Sequence, residues 1–282
     1  MRFRKFKRLL RRLFDRSHNQ IAVGEGSVCE ISPEASVKDT FIRMNGRSKL
    51  VIESGARVSK CSFQIDSGST VTIGAGTVLD GVDICVWEQS VLTLGKECRV
   101  NDYSFVVERG QVAISDNNLL SNVSGAGLIP IKVEGGRLSV RDHNRMQNSI
   151  WVRFGGQLSI GSYNCINFGT DIRCDESIGI GSYNMISYHC DIWDTNTHNV
   201  YSLEVKKALF VRDFPAMGRE RTKPDTKPVS IGDGNWVGKY SCILKGSVLG
   251  NEVIVATHGI VSNVTVEDGQ RVIPAKSEIR SR

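Results

Sequence analysis

The chain has no Cys-x-x-Cys pair: its eight cysteines, Cys29, Cys61, Cys85, Cys98, Cys165, Cys174, Cys190 and Cys242, stand apart. That spacing excludes a zinc ribbon and a dithiol redox motif. The N-terminal segment also lacks the uninterrupted apolar run of a signal peptide or a spanning helix. The thiols are therefore expected to be reduced, serving as small core residues in a cytoplasmic protein. Aromatic residues are scarce at 7%, against 28 glycines. A thick aromatic core is excluded, and a repetitive β architecture with many tight corners is favoured. A basic excess is missing from the body of the chain. Residues 1–16 carry eight Lys/Arg and one Asp, whereas the remainder carries 28 basic and 29 acidic residues. A nucleic-acid-binding domain should carry its positive charge on the folded face, so this distribution argues against one.

What the first residues do have is a pattern. Phe3, Phe6, Leu10, Leu13 and Phe14 fall near helical spacing with Arg and Lys between them. The reading is a basic amphipathic helix over residues 1–20, suited to peripheral attachment on the anionic inner face of a membrane. The alternatives are a solvated leader or a helix packed on the body.

From residue 21 onward the sequence repeats. A three-residue core recurs as LVI at 50–52, VTI at 71–73, LTL at 92–94 and VAI at 112–114. It continues as LSV at 138–140, LSI at 158–160, IGI at 178–180 and VSI at 229–231. Most spacings are 20 or 21 residues, and the intervals 114–140 and 180–231 must contain insertions. Near the C-terminus a finer period appears: Ile231, Val237, Ile243, Leu249, Val255 and Val261 are six apart, several followed by Gly or Ala. Ile160, Ile166 and Ile172, then Ile180, Ile186 and Ile192, keep the same step. A hexad is one short strand and one corner, with the aliphatic residue inward and the small residue at the turn. Three sides close a triangular coil of about eighteen residues, and coils stack so that each strand pairs with those above and below. The longer spacings require extra corner residues, such as Gly135–Gly136 and Gly155–Gly156.

The run IGDGNWVGKYSCILKGSVLGNEVIVA resembles the hexapeptide-repeat acyltransferases, strongly over 157–282 and diffusely over 21–156. The resemblance implies an all-β fold, a left-handed parallel β-helix spanning 21–282. A right-handed helix stays open for the N-terminal coils with their longer period. It further implies a homotrimer with active-site clefts between subunits, and acetyl-CoA as donor.

Function is expected where the repeat is violated, because those residues are not dictated by coil packing. The main violation runs from Trp193 to Lys227 and contains an inserted arm, 199–228, with seven Lys/Arg, four acidic residues and three of the six prolines. At its root lies WDTNTHN. In the sugar O-acetyltransferase branch, a D-x-x-x-H arrangement places a histidine in the cleft, and the matching positions here are Asp194 and His198. Acyl transfer to a hydroxyl needs a base, and an imidazole, with an ordinary pKa of about 6.5, is suited to that task. His198 is the candidate base, Asp194 the candidate orienter, and Asn196 and Trp193 candidate acceptor contacts. His258, in VATHGI, is the rival histidine, while His18 and His143 are expected to be solvated. The five histidines lack the close spacing of the zinc site in related γ-type carbonic anhydrases, so no metal is expected.

The resemblance also marks a donor site. Trp236, Gly238 and Lys239 match the W-I-G-A turn at the pantetheine arm. Thr257 occupies the place of the second small residue of IGAGS, and Lys276, near Arg280, is the plausible partner of the CoA phosphates. Lys239, Thr257 and His258 are bulkier than the family's residues there. The resulting expectation is an acetyl-CoA-dependent O-acetyltransferase acting on a saccharide hydroxyl in surface polysaccharide synthesis. The alternative is a non-catalytic β-helical scaffold or glycan-binding protein that has lost the donor site. A sugar nucleotidyltransferase is weaker, since no Gly-rich nucleotide domain precedes the repeats.

Overall fold

A computed structural model describes residues 19–125 and 127–274 of the 282-residue chain. The expected helix at 1–20 falls almost wholly outside the described residues; so do Lys276 and Arg280. The rest is a parallel β-solenoid of about 12 turns, matching a left-handed β-helix. Its strands form three faces. The first carries the repeat cores, the second is an 11-stranded sheet from Ser36–Lys38 to Arg271–Val272, and the third runs from Gln20–Val23 to Ile260–Ser262. The faces follow one another in the same order from the first coil to the last, so a single hand runs throughout.

The register is the one the repeat implies. Leu50 pairs with Val71, Val71 with Leu92, Leu92 with Val112, and the ladder continues through Leu138, Leu158 and Ile178 to Val229. On the third face, Ile150, Ile172, Ile192, Ile243 and Val261 form the equivalent ladder. All of these inward residues are buried. Each contributes roughly 1.5–3 kcal/mol of hydrophobic stabilisation relative to exposure. The glycines after them serve the stacking: a Cβ on Gly238 would lie 2.5 Å from the Thr257 backbone nitrogen. At the Gly135–Gly136 corner the register shifts, Gly135 standing opposite both Phe154 and Gly155, so the extra residue of the next coil is accommodated there as a bulge.

Between the first and second faces the corners are tied by a buried asparagine ladder. Asn118, Asn144, Asn164 and Asn184 each accept from the backbone N–H of the next asparagine up, the last being Asn235, at 2.8–2.9 Å. Asn164 also donates to Gly181 O at 2.9 Å. Replacing Asn164 by alanine leaves the Asn184 N–H buried without a partner, so a loss of about 1–3 kcal/mol is expected, read as a lower melting temperature.

Buried thiols occupy the interior as small apolar residues. Burial pushes the Cys61 thiol up to about 12 and raises Cys174 and Cys190 as well, which makes them poor nucleophiles.

Candidate active site at the break in the solenoid

The strand Asp191–Trp193 still pairs with the coils on either side. Beyond it the chain leaves the solenoid and returns alongside itself. Thr195 and Thr226 form an isolated antiparallel bridge, Asn196 N donates to Asp225 O at 3.0 Å, and Lys227 N donates to Asp194 O at 3.0 Å. The arm between them holds the single described helix, α1 (Leu203–Asp213), whose first turn is capped by the Ser202 hydroxyl accepting from Val205 N. No residue of α1 is buried.

A buried polar cluster fixes the root of this arm. Arg153 makes a two-pronged ion pair with Asp175 at 2.8 and 2.6 Å, both side chains being almost fully buried. Thr195 Oγ1 donates to Asp175 at 2.8 Å, and Thr226 donates to Glu176. Asp194 is fully buried, and its two oxygens accept the backbone N–H groups of Asp175, Glu176 and Ser177 at 2.7–2.8 Å. Burial pushes its carboxyl above the ordinary carboxylate range, although these three donors pull it back. The expected Asp194–His198 pairing is thereby corrected: this carboxylate clamps the preceding corner, because the amides of that corner were free to receive it.

His198 is presented differently. Its N–H donates to Asn196 O at 2.7 Å, two residues back, and Thr197 between them has φ +62°. This is a tight γ-type turn in the left-handed region, an uncommon conformation for a threonine and one that concentrates at functional sites. The imidazole is 60% exposed, and its Nδ1 lies 3.3 Å from Glu220 Oε1. Glu220 is itself held by the Asn199 N–H at 3.1 Å, the Asn199 side chain at 3.0 Å and the Tyr201 hydroxyl at 3.0 Å. Desolvation pushes the Glu220 carboxyl up, but these donors together with His198 outweigh it and hold the carboxyl below the usual range. The pair stands at the edge of a cavity of about 690 Å³ between α1 and the returning segment of the arm, lined also by Phe210, Arg219 and Thr222.

The sign of the Glu220 shift carries a prediction. A carboxyl depressed in the folded state stabilises fully above its unfolded pKa, about 4.3, and that stabilisation is lost as pH falls through the lower folded value. The 198–201 segment should therefore stay docked on Glu220 down to about pH 4 and release below it. Pepsin cleavage confined to the arm, appearing only below that pH, is the expected observation.

The remaining sequence expectations divide. Asn196 is exposed at the rim of the turn. Trp193 is not an open stacking surface: the Arg173 guanidinium lies 4.6 Å from its ring centroid, in a ladder that alternates Trp151, Arg173 and Trp193. Trp236 is 54% exposed on the second face. Gly238, Lys239 and Thr257 sit at the corner between the second and third faces, where Lys239 Nζ lies over Tyr240 and His258 stacks on the same ring. His198 leaves from the corner between the third and first faces, so one chain does not bring the expected donor residues to the expected base. Among the described residues, no group of three His, Cys, Asp or Glu side chains forms a metal-ligand set.

Two solved acetyltransferases are similar to this chain. One is the polysialic acid O-acetyltransferase OatWY, at 17% identity and a TM-score of 0.40, with 94% of each chain covered. The other is the polySia-specific acetyltransferase NeuO, at 14% identity and a TM-score of 0.34, with 90% of this chain and 74% of that chain covered. No family model and no curated protein matches.

Three features of the site escaped sequence reasoning. Glu220 lies 22 residues from His198 in an aperiodic stretch, and no spacing rule links them. Tyr201 reads as an ordinary loop residue. Arg153 did carry a signal: a charge beside the inward Val152 at a corner demands a buried partner.

Proposed function

We propose that the protein is an O-acetyltransferase that moves the acetyl group of acetyl-CoA to a saccharide hydroxyl. The observation that carries this reading is the His198–Glu220 pair, held on a strained turn at the edge of a cavity where the solenoid breaks. With Nδ1–H donated to Glu220, Nε2 is the free base. It takes the proton of the acceptor hydroxyl as that oxygen attacks the thioester carbonyl. The C–S bond then breaks, and the imidazolium returns its proton to the departing thiolate, releasing CoA and an acetyl ester. Glu220 is the positioning residue: it selects the tautomer and stabilises the imidazolium.

Trp236, Gly238, Lys239 and Thr257 are assigned to the donor, with Lys276 toward its phosphates, and Asn196 to the acceptor. Because donor corner and base lie on different edges, a second copy must supply one of them. A homotrimer with composite clefts meets that requirement, and the exposed apolar residues Met185, Trp236 and Ile260 on this side of the solenoid fit such an assembly. The basic segment 1–16 is assigned to the inner membrane surface, beside lipid-linked acceptors.

A hydrogen bond to a charged group is worth about 1.5–3 kcal/mol. Glu220→Gln should therefore lower kcat roughly 10- to 100-fold with little change in the KM for acetyl-CoA, measured by release of free CoA thiol. The Lys239–Tyr240–His258 stack that fills the donor corner favours the second reading, a scaffold without a donor site. Calorimetry with CoA separates the two: saturable binding supports the enzyme, and none supports the scaffold.

A further inference from the structure

At the corner between the first and second faces, successive coils place a left-handed residue at one equivalent position. These are Asn117, His143, Tyr163, Tyr183, Gly234, Glu252 and Gly269, with φ between 55° and 70°. Side chains there lie one above another. His143 and Tyr163 stack at 4.8 Å and 11°, and Tyr163 and Tyr183 at 5.3 Å and 4°. They lean back toward the preceding coil: a Cβ built on Gly76 would meet the Glu97 carboxylate at 2.1 Å, and one on Gly234 would lie 3.7 Å from Glu252 Cγ. The column of rings therefore ends at Tyr183, and Gly234 leaves the next level without a side chain. Tyr183 presents an uncovered face on one side of the gap, and Glu252 reaches over the other. Exposure agrees, at 50% for the sandwiched Tyr163 and 63% for Tyr183. Among the described residues, Glu252 is in no ion pair.

We propose that this gap binds one uncharged pyranose residue of a saccharide chain. The apolar C–H face of the sugar lies on Tyr183, and its hydroxyls donate to the Glu252 carboxylate. Two coil spacings, about 9–10 Å, separate the Tyr183 and Glu252 backbones, and Glu252 leans into the far part of that height, which leaves the level of Gly234, one coil high, for a flat ring lying on Tyr183. A negative sugar is disfavoured by Glu252 and by the adjoining Asp233. The gap lies at the level of the arm, since Tyr183 precedes the break and Gly234 follows it. Between the two, these strands of the first face present the small residues Ser177, Gly179 and Ser230 outward. A strand of four residues spans about 13 Å, so an oligosaccharide held at Tyr183 lies across this low floor toward His198. This link to transfer rests on the function proposed above; binding at the gap does not.

The test uses the full-length protein with Tyr183→Ala and Gly234→Tyr. Three aromatic residues already occupy this position at φ 59–61°, so tyrosine at 234 completes the stack and fills the gap without removing Tyr183. Circular dichroism and melting temperature check that both variants fold. Methyl pyranosides of glucose, galactose, mannose and N-acetylglucosamine are titrated while the Tyr183 ring resonances are followed by NMR. At least one is expected to shift them, with affinity at least tenfold weaker in both variants and unchanged in His198→Ala. In transfer assays the gap variants should raise the KM for a polymeric acceptor about tenfold at constant kcat. The proposal is overturned if no pyranoside perturbs Tyr183, if Gly234→Tyr binds as well as wild type, or if adenosine monophosphate binds there better than every sugar. Pyranoside binding at the gap without any acetyl transfer would sink the enzymatic reading and leave the gap assignment standing.

Discussion

Replacing His198 by alanine is expected to lower kcat for acetyl transfer by about 10²–10⁴-fold, the usual contribution of a positioned general base. The KM for acetyl-CoA should change little, because the residues proposed for the donor lie on another corner of the prism. The side chain is largely exposed, with its Nδ1 against Glu220, and a Cβ on Gly218 would lie 3.9 Å from its ring. The melting temperature should therefore stay within a degree or two of wild type, as is usual for surface substitutions. Steady-state kinetics and differential scanning calorimetry on the same preparation check both halves. A variant as active as wild type removes the base from the mechanism. A variant that loses activity together with several degrees of stability would mark His198 as structural.

The second large effect is expected at the arm root and has the opposite signature. Removing Asp175 as alanine strands the buried Arg153 guanidinium and frees Thr195, and breaking one partner of a buried pair costs about 3–5 kcal/mol. For a domain of this size that corresponds to a fall in melting temperature of about 10 °C. Replacing both partners, Arg153→Met with Asp175→Leu, should recover much of the loss, since no unpaired charge remains. A double-mutant cycle in thermal unfolding measures this coupling. If Asp175→Ala melts like wild type, the cluster does not hold the arm. Asp194→Ala belongs with this group: three backbone N–H groups lose their acceptor, so stability should fall before chemistry does.

The solenoid was legible because it obeys a period. Each inward aliphatic from Leu50 to Val261 is fixed by the same local rule, and spacing alone delivers the register. The arm obeys none. His198 stood out as an interruption, and Asp194 was paired with it on the D-x-x-x-H arrangement of the acetyltransferases the chain resembles. The structure gives that aspartate to backbone amides, because a short carboxylate beside a free corner finds N–H donors at once. Glu220 reaches His198 through the fold of the arm, a contact across 22 residues that no propensity encodes. The Tyr163–Tyr183 stack falls in a GSYN that occurs at 161–164 and again at 181–184, outside the aliphatic repeat that sets the register. Only three-dimensional stacking shows that a column of rings ends at Tyr183 with an open level at Gly234.

The most direct test of the account follows one isotopically labelled acetyl group. Wild-type protein, and His198→Ala shown by calorimetry to bind CoA equally well, are incubated with labelled acetyl-CoA and a panel of surface glycans. The glycans are then analysed by mass spectrometry. The account predicts an alkali-labile ester carrying the label on a saccharide hydroxyl with wild type, and a yield at least about 100-fold lower with the variant. Equal labelling by both proteins, or label that never reaches a glycan from either, would contradict it.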